Sequence, residues 1–314
     1  MAAAERSSRA SNPRLERPSV VAWRRFARRR LALASLVVLA GIAVSTVGAE
    51  LLAPYPLGRT HPVDVLAAPG RDYLLGTDTV GRDTLSQLLY AGRVTLAVGV
   101  SVALLATLGG ALVGMVAGYA GGAVDAGLMR LTDTLLALPS LMVVIMAARM
   151  LGDSIFDVVL VLSLLGWMAV ARIIRGKVLA LRELEFVAAA RAMGASTWRV
   201  MFGHLLPNLV GEIAVAVSLA AAAAILAESV LSFLGLGVSP VHTPTWGNML
   251  GGNEGFMTVA PWLVIAPGLA IAVTVLCVNF IGDGLRDAFD VRSDGRDGQP
   301  HRRSLRGASG GSRR

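Results

Sequence analysis

Lysine is nearly missing from this chain of 314 residues: Lys177 stands alone among 29 basic side chains, the rest being arginine. A phosphate-binding P-loop needs G-x-x-x-x-G-K-[ST], because its lysine reaches the β- and γ-phosphates and its hydroxyl holds magnesium. Gly176 precedes Lys177, but Val178 stands where the hydroxyl belongs and Ala171 where the first glycine belongs. The chain thus has no P-loop of its own. Cysteine is equally scarce, and Cys277 alone excludes an internal disulfide framework and any multi-thiolate zinc site. His61, His204, His242 and His301 fall in separate segments with no i,i+4 pair, so no metal site is expected. No G-x-S-x-G elbow is present, and no residue is nominated as catalytic. Charge is low as well. Only 16% of residues are charged and 54% are apolar, against about 25% and 45–50% in soluble domains. A water-facing enzyme is excluded on those grounds.

What the chain does have is long apolar runs. A helix needs roughly 20 apolar residues to cross a hydrocarbon core of ~30 Å. Six candidates appear: Leu31–Ala53, Val94–Tyr119, Leu135–Leu151, Ile155–Val170, Leu209–Leu236 and Pro261–Phe280. Backbone groups in lipid must bond internally, and the short alternating segments of a β-barrel are absent, so these runs are expected to be helices. The fold class is an all-α, polytopic integral membrane protein with six transmembrane helices. Gly110, Gly114 and Gly118 recur every fourth residue, which puts them on one face where another helix can approach closely. Pro139 and Pro267 mark a kink or an entry point in their runs.

The net charge of +8 and pI of 10.8 would suggest nucleic acid in a soluble protein. The positions of the charges point elsewhere. Arg6, Arg9, Arg14, Arg17, Arg24, Arg25 and Arg28–Arg30 precede the first span, and Arg172, Arg175, Lys177, Arg182, Arg191 and Arg199 lie between the fourth and fifth. Eight arginines follow the sixth, whereas Gly152–Ser154 and Gly237–Ala260 contain no Lys or Arg. In Pro54–Arg93 four arginines are offset by four aspartates. Cationic segments stay in the cytoplasm, so both termini and the loop 171–208 are expected inside a cell membrane, with some attraction to lipid headgroups. Nucleic acid is not expected as a partner.

The resulting organisation is a basic cytoplasmic tail over 1–30, a first transmembrane helix over 31–53 and an extracytoplasmic segment over 54–93. A five-helix core follows over 94–290, with the loop 171–208, and then a disordered tail over 291–314. Arg24–Arg30 before an apolar run and Val47-Gly48-Ala49 has features of a signal peptide, but the run exceeds the usual 7–15 residues, so a retained span is preferred.

The loop is the informative stretch. From Glu185 through Ala188, Ala189, Ala190 and Arg191 to Met193 it is alanine-rich and helix-forming; Gly194 breaks it, and a second short helix is expected to run to Pro207. Small residues on an exposed helix let another protein approach its backbone. The stretch resembles the E-A-A-x3-G-x9-I-x-L-P loop of ABC importer permeases: Ala189, Ala190, Gly194, Leu206 and Pro207 match, whereas Ala188 replaces the glutamate and His204 the isoleucine. Glu185 is the nearest carboxylate.

Leu75-Gly76-Thr77-Asp78-Thr79-Val80-Gly81-Arg82-Asp83, Ala227-Glu228-Ser229, Ser232–Gly237, Thr245–Leu250 and Asn279–Asp287 are similar to the C-type permease subunit of dipeptide, oligopeptide and nickel importers. The resemblance runs from about Leu31 to Arg292. It implies a second homologous permease subunit, two ATP-binding subunits that use ATP and magnesium, and an extracytoplasmic solute-binding protein. This chain itself would bind no cofactor. The resemblance also implies a docking role for Asp78, Arg82, Asp83, Trp246 and Asn248; a salt-bridged cap and an interfacial anchor are the alternatives. Glu228, ionisable within a span, is expected at a pore or gate. Glu212 and Glu228 sit 16 residues apart on one helix, about 24 Å, too far for an acid–base pair. A nickel importer of the same family and a stand-alone secondary transporter are the other functional readings.

Overall fold

The computed structural model describes residues 18–239 and 243–289, with side chains described from Trp23 onward. The expectations for the extreme tails, and for His242 and His301, lie outside the described residues. Among the described residues the regular elements are helices: α1 (Pro18–Arg28), α2 (Arg30–Val47), α3 (Ala49–Leu52), α4 (Thr84–Ala120), α5 (Gly122–Leu136), α6 (Ser140–Leu151), α7 (Ile155–Leu181), α8 (Glu185–Ala192), α9 (Thr197–Val200), α10 (Leu206–Phe233), α11 (Trp246–Leu250) and α12 (Trp262–Phe289). One antiparallel bridge joins Thr77 to Asp83.

Among the described residues five helices are long and apolar enough to cross a membrane, and the bent pair α5–α6 makes a sixth crossing if counted as one. The spans give the molecule two ends. One carries the α8–α9 hairpin, α1 and the end of α12. The other carries the cap formed by 53–83 together with α11.

Several boundaries differ from the apolar runs, each for a physical reason. Helix α4 starts at Thr84 rather than Val94, because the Asp83 carboxylate caps it by accepting from the Ser86 backbone N–H at 2.7 Å. Helix α7 continues to Leu181 instead of ending at Val170. The charges that made 171–181 look like loop have partners on neighbouring helices: Arg172 with Asp133, Arg175 with Asp125 (Nη2 to Oδ2, 2.6 Å), and Lys177 with Glu212 at 3.0 Å. The run Leu135–Leu151 is not one rod. Helices α5 and α6 meet at 85°, because Pro139 lacks an N–H and pushes Leu138 out of helical geometry.

The tightest packing is between α4 and α7, along the glycine face. A Cβ on Gly110 would lie 2.5 Å from the Trp167 carbonyl oxygen, and one on Gly114 2.5 Å from that of Ala171. A Cβ on Gly118 would lie 2.9 Å from the Val178 side chain. The small residues bring the two backbones into contact, which is how helices associate where lipid removes the hydrophobic drive.

Candidate functional site

The hairpin between α7 and α10 forms from local signals. Helix α8 stops at Gly194, where φ is +81°. The Gly194 N–H donates to the Arg191 carbonyl at 2.9 Å and the Ala195 N–H to the Ala190 carbonyl at 3.0 Å, the paired bonds of a glycine-terminated helix. Ser196 then caps α9, accepting from the Arg199 N–H. Gly194→Ala is expected to cost about 1 kcal/mol because a Cβ strains this left-handed geometry, and Gly194→Asn less. Thermal unfolding of the purified chain in detergent measures both.

The second helix does not end at Pro207, as its sequence suggested. Helix α9 passes through a π turn, Met201–Leu205, directly into α10, giving a continuous helical segment from Thr197 to Phe233. A proline ring normally clashes with the carbonyl four residues back. The widened turn sits where that clash would fall, so Pro207 stands within the first turn of α10 instead of breaking it. The second arm of the hairpin and a membrane span are thus one continuous helical segment.

The inner face of the hairpin is locked down. Val187, Ala190, Val200 and Leu205 are buried against Met115 of α4 and Ile174 and Val178 of α7. Arg191 lies over the Tyr119 ring at 4.9 Å, and the Arg182 guanidinium donates to the Gly118 carbonyl at 2.8 Å. Of the alanines, Ala188 and Ala189 are exposed but Ala190 is 2% exposed. Ala190 is therefore corrected from a surface residue to a packing one, since it shares the inward face with Val187. Glu185 is exposed in the first turn of α8, where a carboxylate suits the helix dipole. Pro207 is exposed and Leu206 half-buried.

The outer face is unusually apolar for a surface. Trp198 is 64% exposed and stacks on Phe202 at 5.5 Å, with Phe186 and Met193 also exposed. A groove of about 590 Å³ lies beside them, bounded by Tyr119, Arg191, Trp198 and Met201. Trp198 was not singled out from the sequence, although an indole in a segment flanked by charge on both sides was a usable signal.

At the opposite end, of the residues singled out for docking or for outer-segment structure, Asp83 and Trp246 are buried and Asp78, Arg82 and Asn248 half-buried. The Asp78 Oδ1 accepts from the backbone N–H groups of Val80 and Arg82, closing a tight turn around Gly81. Asp83 is 2% exposed and serves as the α4 cap, while Arg82 is half-buried. Trp246 is 1% exposed, donating its N–H to Thr95 Oγ1 at 3.1 Å and its Nε1–H to the Leu88 carbonyl at 2.9 Å. Asn248 completes a capping box with Thr245. Of the two roles the sequence left open for Asp83, Trp246 and Asn248, these contacts are those of residues that build the cap. Thr79 and Val80 at the tip of the turn are what the surface offers. The Trp262 indole ties this cap to α12, donating to the Thr77 carbonyl at 3.2 Å. Burial, and then the Asp64 carboxylate, push the Tyr73 phenol up to about 12, so it remains a donor to Asp64 at any physiological pH. Asp83→Ala is expected to lower stability by about 1 kcal/mol, the usual loss for a helix cap, with a matching drop in melting temperature.

Between the spans a cavity of about 480 Å³ opens among α4, α6, α7 and α10, walled by side chains such as Leu141, Val144, Leu162, Leu219, Ala223 and Leu231. Glu228 is not on that wall, although its neighbour Ala227 is. It is fully buried, with Ser232 Oγ donating to its Oε1 at 2.7 Å, and faces Thr95, Ser229 and Thr245. Within this chain Glu228 thus lies behind the cavity wall, bonded to its own helix. One residue along a helix turns the side chain by about 100°, away from the cavity and toward α11. Among the described residues no group of three or more metal-ligating side chains occurs.

Residues 110–294 match the family described as binding-protein-dependent transport system inner membrane component, and residues 18–69 match the N-terminal transmembrane domain of oligopeptide transport permease C. The dipeptide transport system permease protein of Bacillus subtilis (strain 168) is 38% identical over 285 residues, covering 88% of this chain and 88% of that protein. The glutathione transport system permease protein of Pectobacterium atrosepticum is 39% identical over 272 residues, covering 86% and 90%. The oligopeptide transport system permease protein of Haemophilus influenzae is 38% identical over 273 residues, covering 86% and 88%. Among solved structures, a chain of the inward-facing MetNI methionine ABC transporter aligns with a TM-score of 0.50 and 15% identity, over 65% of this chain and 96% of that one; that likeness concerns the fold.

Proposed function

Because the chain belongs to the family of binding-protein-dependent transport system inner membrane components, we propose that it is one of two different membrane-spanning subunits of an ATP-driven importer of short peptides. The relatives named for dipeptides, oligopeptides and glutathione have peptidic solutes in common, which supports that solute class. Two separate ATP-binding subunits hold ATP and magnesium, and a binding protein delivers solute on the cap side. The cavity among α4, α6, α7 and α10 forms this chain's half of the path. The arginine-rich segments at the hairpin end support a cytoplasmic position for it.

The observation that carries the reading is the unbroken helical segment Thr197–Phe233 behind a hairpin whose outer face is apolar. A push on α8 and α9 has no hinge at Pro207 in which to dissipate. It reaches the α10 wall of the cavity as a movement of the whole helix, the kind of rigid-element shift by which packed proteins switch. ATP closure at the hairpin would then alternate the path between its two sides without chemistry in this chain.

The test is reconstitution. The chain is purified from its native membrane, co-purifying subunits are identified, and labelled dipeptide uptake is followed in proteoliposomes. The expected result is a P-loop ATPase in the complex and uptake that stops without ATP. Uptake by this chain in the absence of any ATPase would overturn the proposal.

A further inference from the structure

Helix α1 takes no part in the path or the hairpin, yet it is firmly seated. It ends at Arg28, Arg29 turns the chain in extended geometry (φ −84°, ψ 98°), and the span α2 begins at Arg30. The chain therefore bends at the mouth of α2 and does not continue the span. Phe26 is the anchor: it is 4% exposed and packs with Ala32 and Ala288. Its seat depends on Gly284 of α12, where a Cβ would lie 2.9 Å from the Phe26 ring and 2.5 Å from the Ala32 Cβ. Arg29 adds an ion pair to Asp287 at 3.0 Å.

This anchoring fixes which groups face outward. Trp23 stacks on Phe26 at 5.8 Å and is 58% exposed. Arg24, Arg28 and Arg30 are exposed around it. Asp287 engages Arg29 and Asp283 engages Arg286, which leaves Arg28 and Arg30 without a carboxylate partner among the described residues. An indole and guanidinium groups are thus held beside the rim where α2 and α12 leave the apolar layer. Amphipathic indoles settle at the headgroup level, and arginines on a helix lying at that level attract anionic lipid.

From this placement we infer that α1 is a binding surface for anionic phospholipid headgroups of the leaflet on the hairpin side. Arg28 and Arg30 meet lipid phosphates, and Trp23 lodges between headgroup and acyl chain. Phe26 and the Arg29–Asp287 pair transmit that hold to the end of α12. The inference stands apart from the import reading, because it needs neither an ATPase nor a solute.

The experiment uses the full chain in its purified complex, placed in nanodiscs of phosphatidylcholine with or without phosphatidylglycerol, one lipid at a time brominated in its acyl chains. Subtracting the emission of a Trp23→Phe variant isolates Trp23 from the other tryptophans. Bromo-phosphatidylglycerol is expected to quench Trp23 more than bromo-phosphatidylcholine at equal mole fraction, with local enrichment of about fivefold per arginine. Arg28→Gln/Arg30→Gln is expected to abolish the preference and Arg28→Lys/Arg30→Lys to restore it, while 0.5 M salt weakens it. Equal quenching by the two lipids, or a preference that survives the glutamine substitutions, would overturn the inference. Retention of the partner subunits in each variant confirms that the complex is intact.

Discussion

Gly114→Val is expected to lower the stability and the yield of the folded protein sharply. The Cβ alone would stand 2.5 Å from the Ala171 carbonyl oxygen and 3.0 Å from both the Arg175 amide nitrogen and the Ile174 Cβ. None of these is the flexible tip of a side chain, so helices α4 and α7 must separate. Separation undoes the contacts at Gly110 and Gly118 on the same face and disturbs the ion pairs that α7 makes with α5. Overpacking a filled core usually costs 1–3 kcal/mol. Here the overlap is with backbone and propagates along the seam, so a loss of about 3 kcal/mol or more is expected, a large part of a typical 5–15 kcal/mol margin. The measurement is the yield of monodisperse protein and its melting temperature in detergent. Gly127→Val is the control, since nothing lies within 4 Å of its added Cβ. A Gly114→Val chain as stable as that control would refute the seam.

The second large effect separates two kinds of failure within one short helix. Ala189→Arg places a long cation on the exposed face of α8, whereas Ala190→Arg forces one into the cluster formed with Val187, Met115 and Ile174. The first variant is expected to keep its melting temperature and lose ATP-dependent uptake. Disrupting a tightly packed centre of contact costs 2 kcal/mol or more, or roughly thirtyfold in association. Trp198→Ala removes an exposed aromatic and is expected to act in the same direction without adding bulk. Ala190→Arg is expected to fail earlier, as lost stability, because an unpaired buried charge is among the costliest substitutions. Normal uptake in the Ala189→Arg and Trp198→Ala variants would argue against the hairpin as the point of coupling. Equal stability of the two arginine variants would argue against the packing described for α8.

Much of the fold was legible because membrane insertion writes itself in composition. The apolar runs indicated the spans, and the glycine repeat indicated which face of α4 meets a neighbour. Gly194 announced the hairpin for a local reason: a left-handed residue is needed to finish α8, and glycine supplies it without strain. What misled was reading charge as the end of a span. Arg172, Arg175 and Lys177 looked like loop, yet each pairs with a carboxylate on another helix. Their partners Asp125, Asp133 and Glu212 are 50, 39 and 35 residues away in sequence, beyond the reach of any local pattern.

The same limit explains the nominated side chains. A polar or aromatic residue in an outer segment can face water or close a turn, and its neighbours in sequence do not distinguish the two. Asp83 looked like surface charge until the turn folded it onto the start of α4. Trp246 looked like an interfacial anchor until α11 tucked beneath α4 and α10. Glu228 was conspicuous as an ion inside a span, but which way it points depends on where α11 lies.

The near absence of lysine kept its meaning throughout. With Lys177 alone and no adjoining hydroxyl residue, a P-loop was excluded by covalent sequence. That exclusion needed no fold, because the P-loop is a contiguous motif. The apolar length of each span and the glycine at the hairpin turn were likewise properties of adjacent residues, fixed by the chain alone. The π turn that carries α9 into α10, the 85° bend at Pro139, the seat of Phe26 on Gly284 and the direction of Glu228 were decided by tertiary packing. Each depends on free energies shared between segments far apart in the chain, and such energies exist only once those segments are in contact.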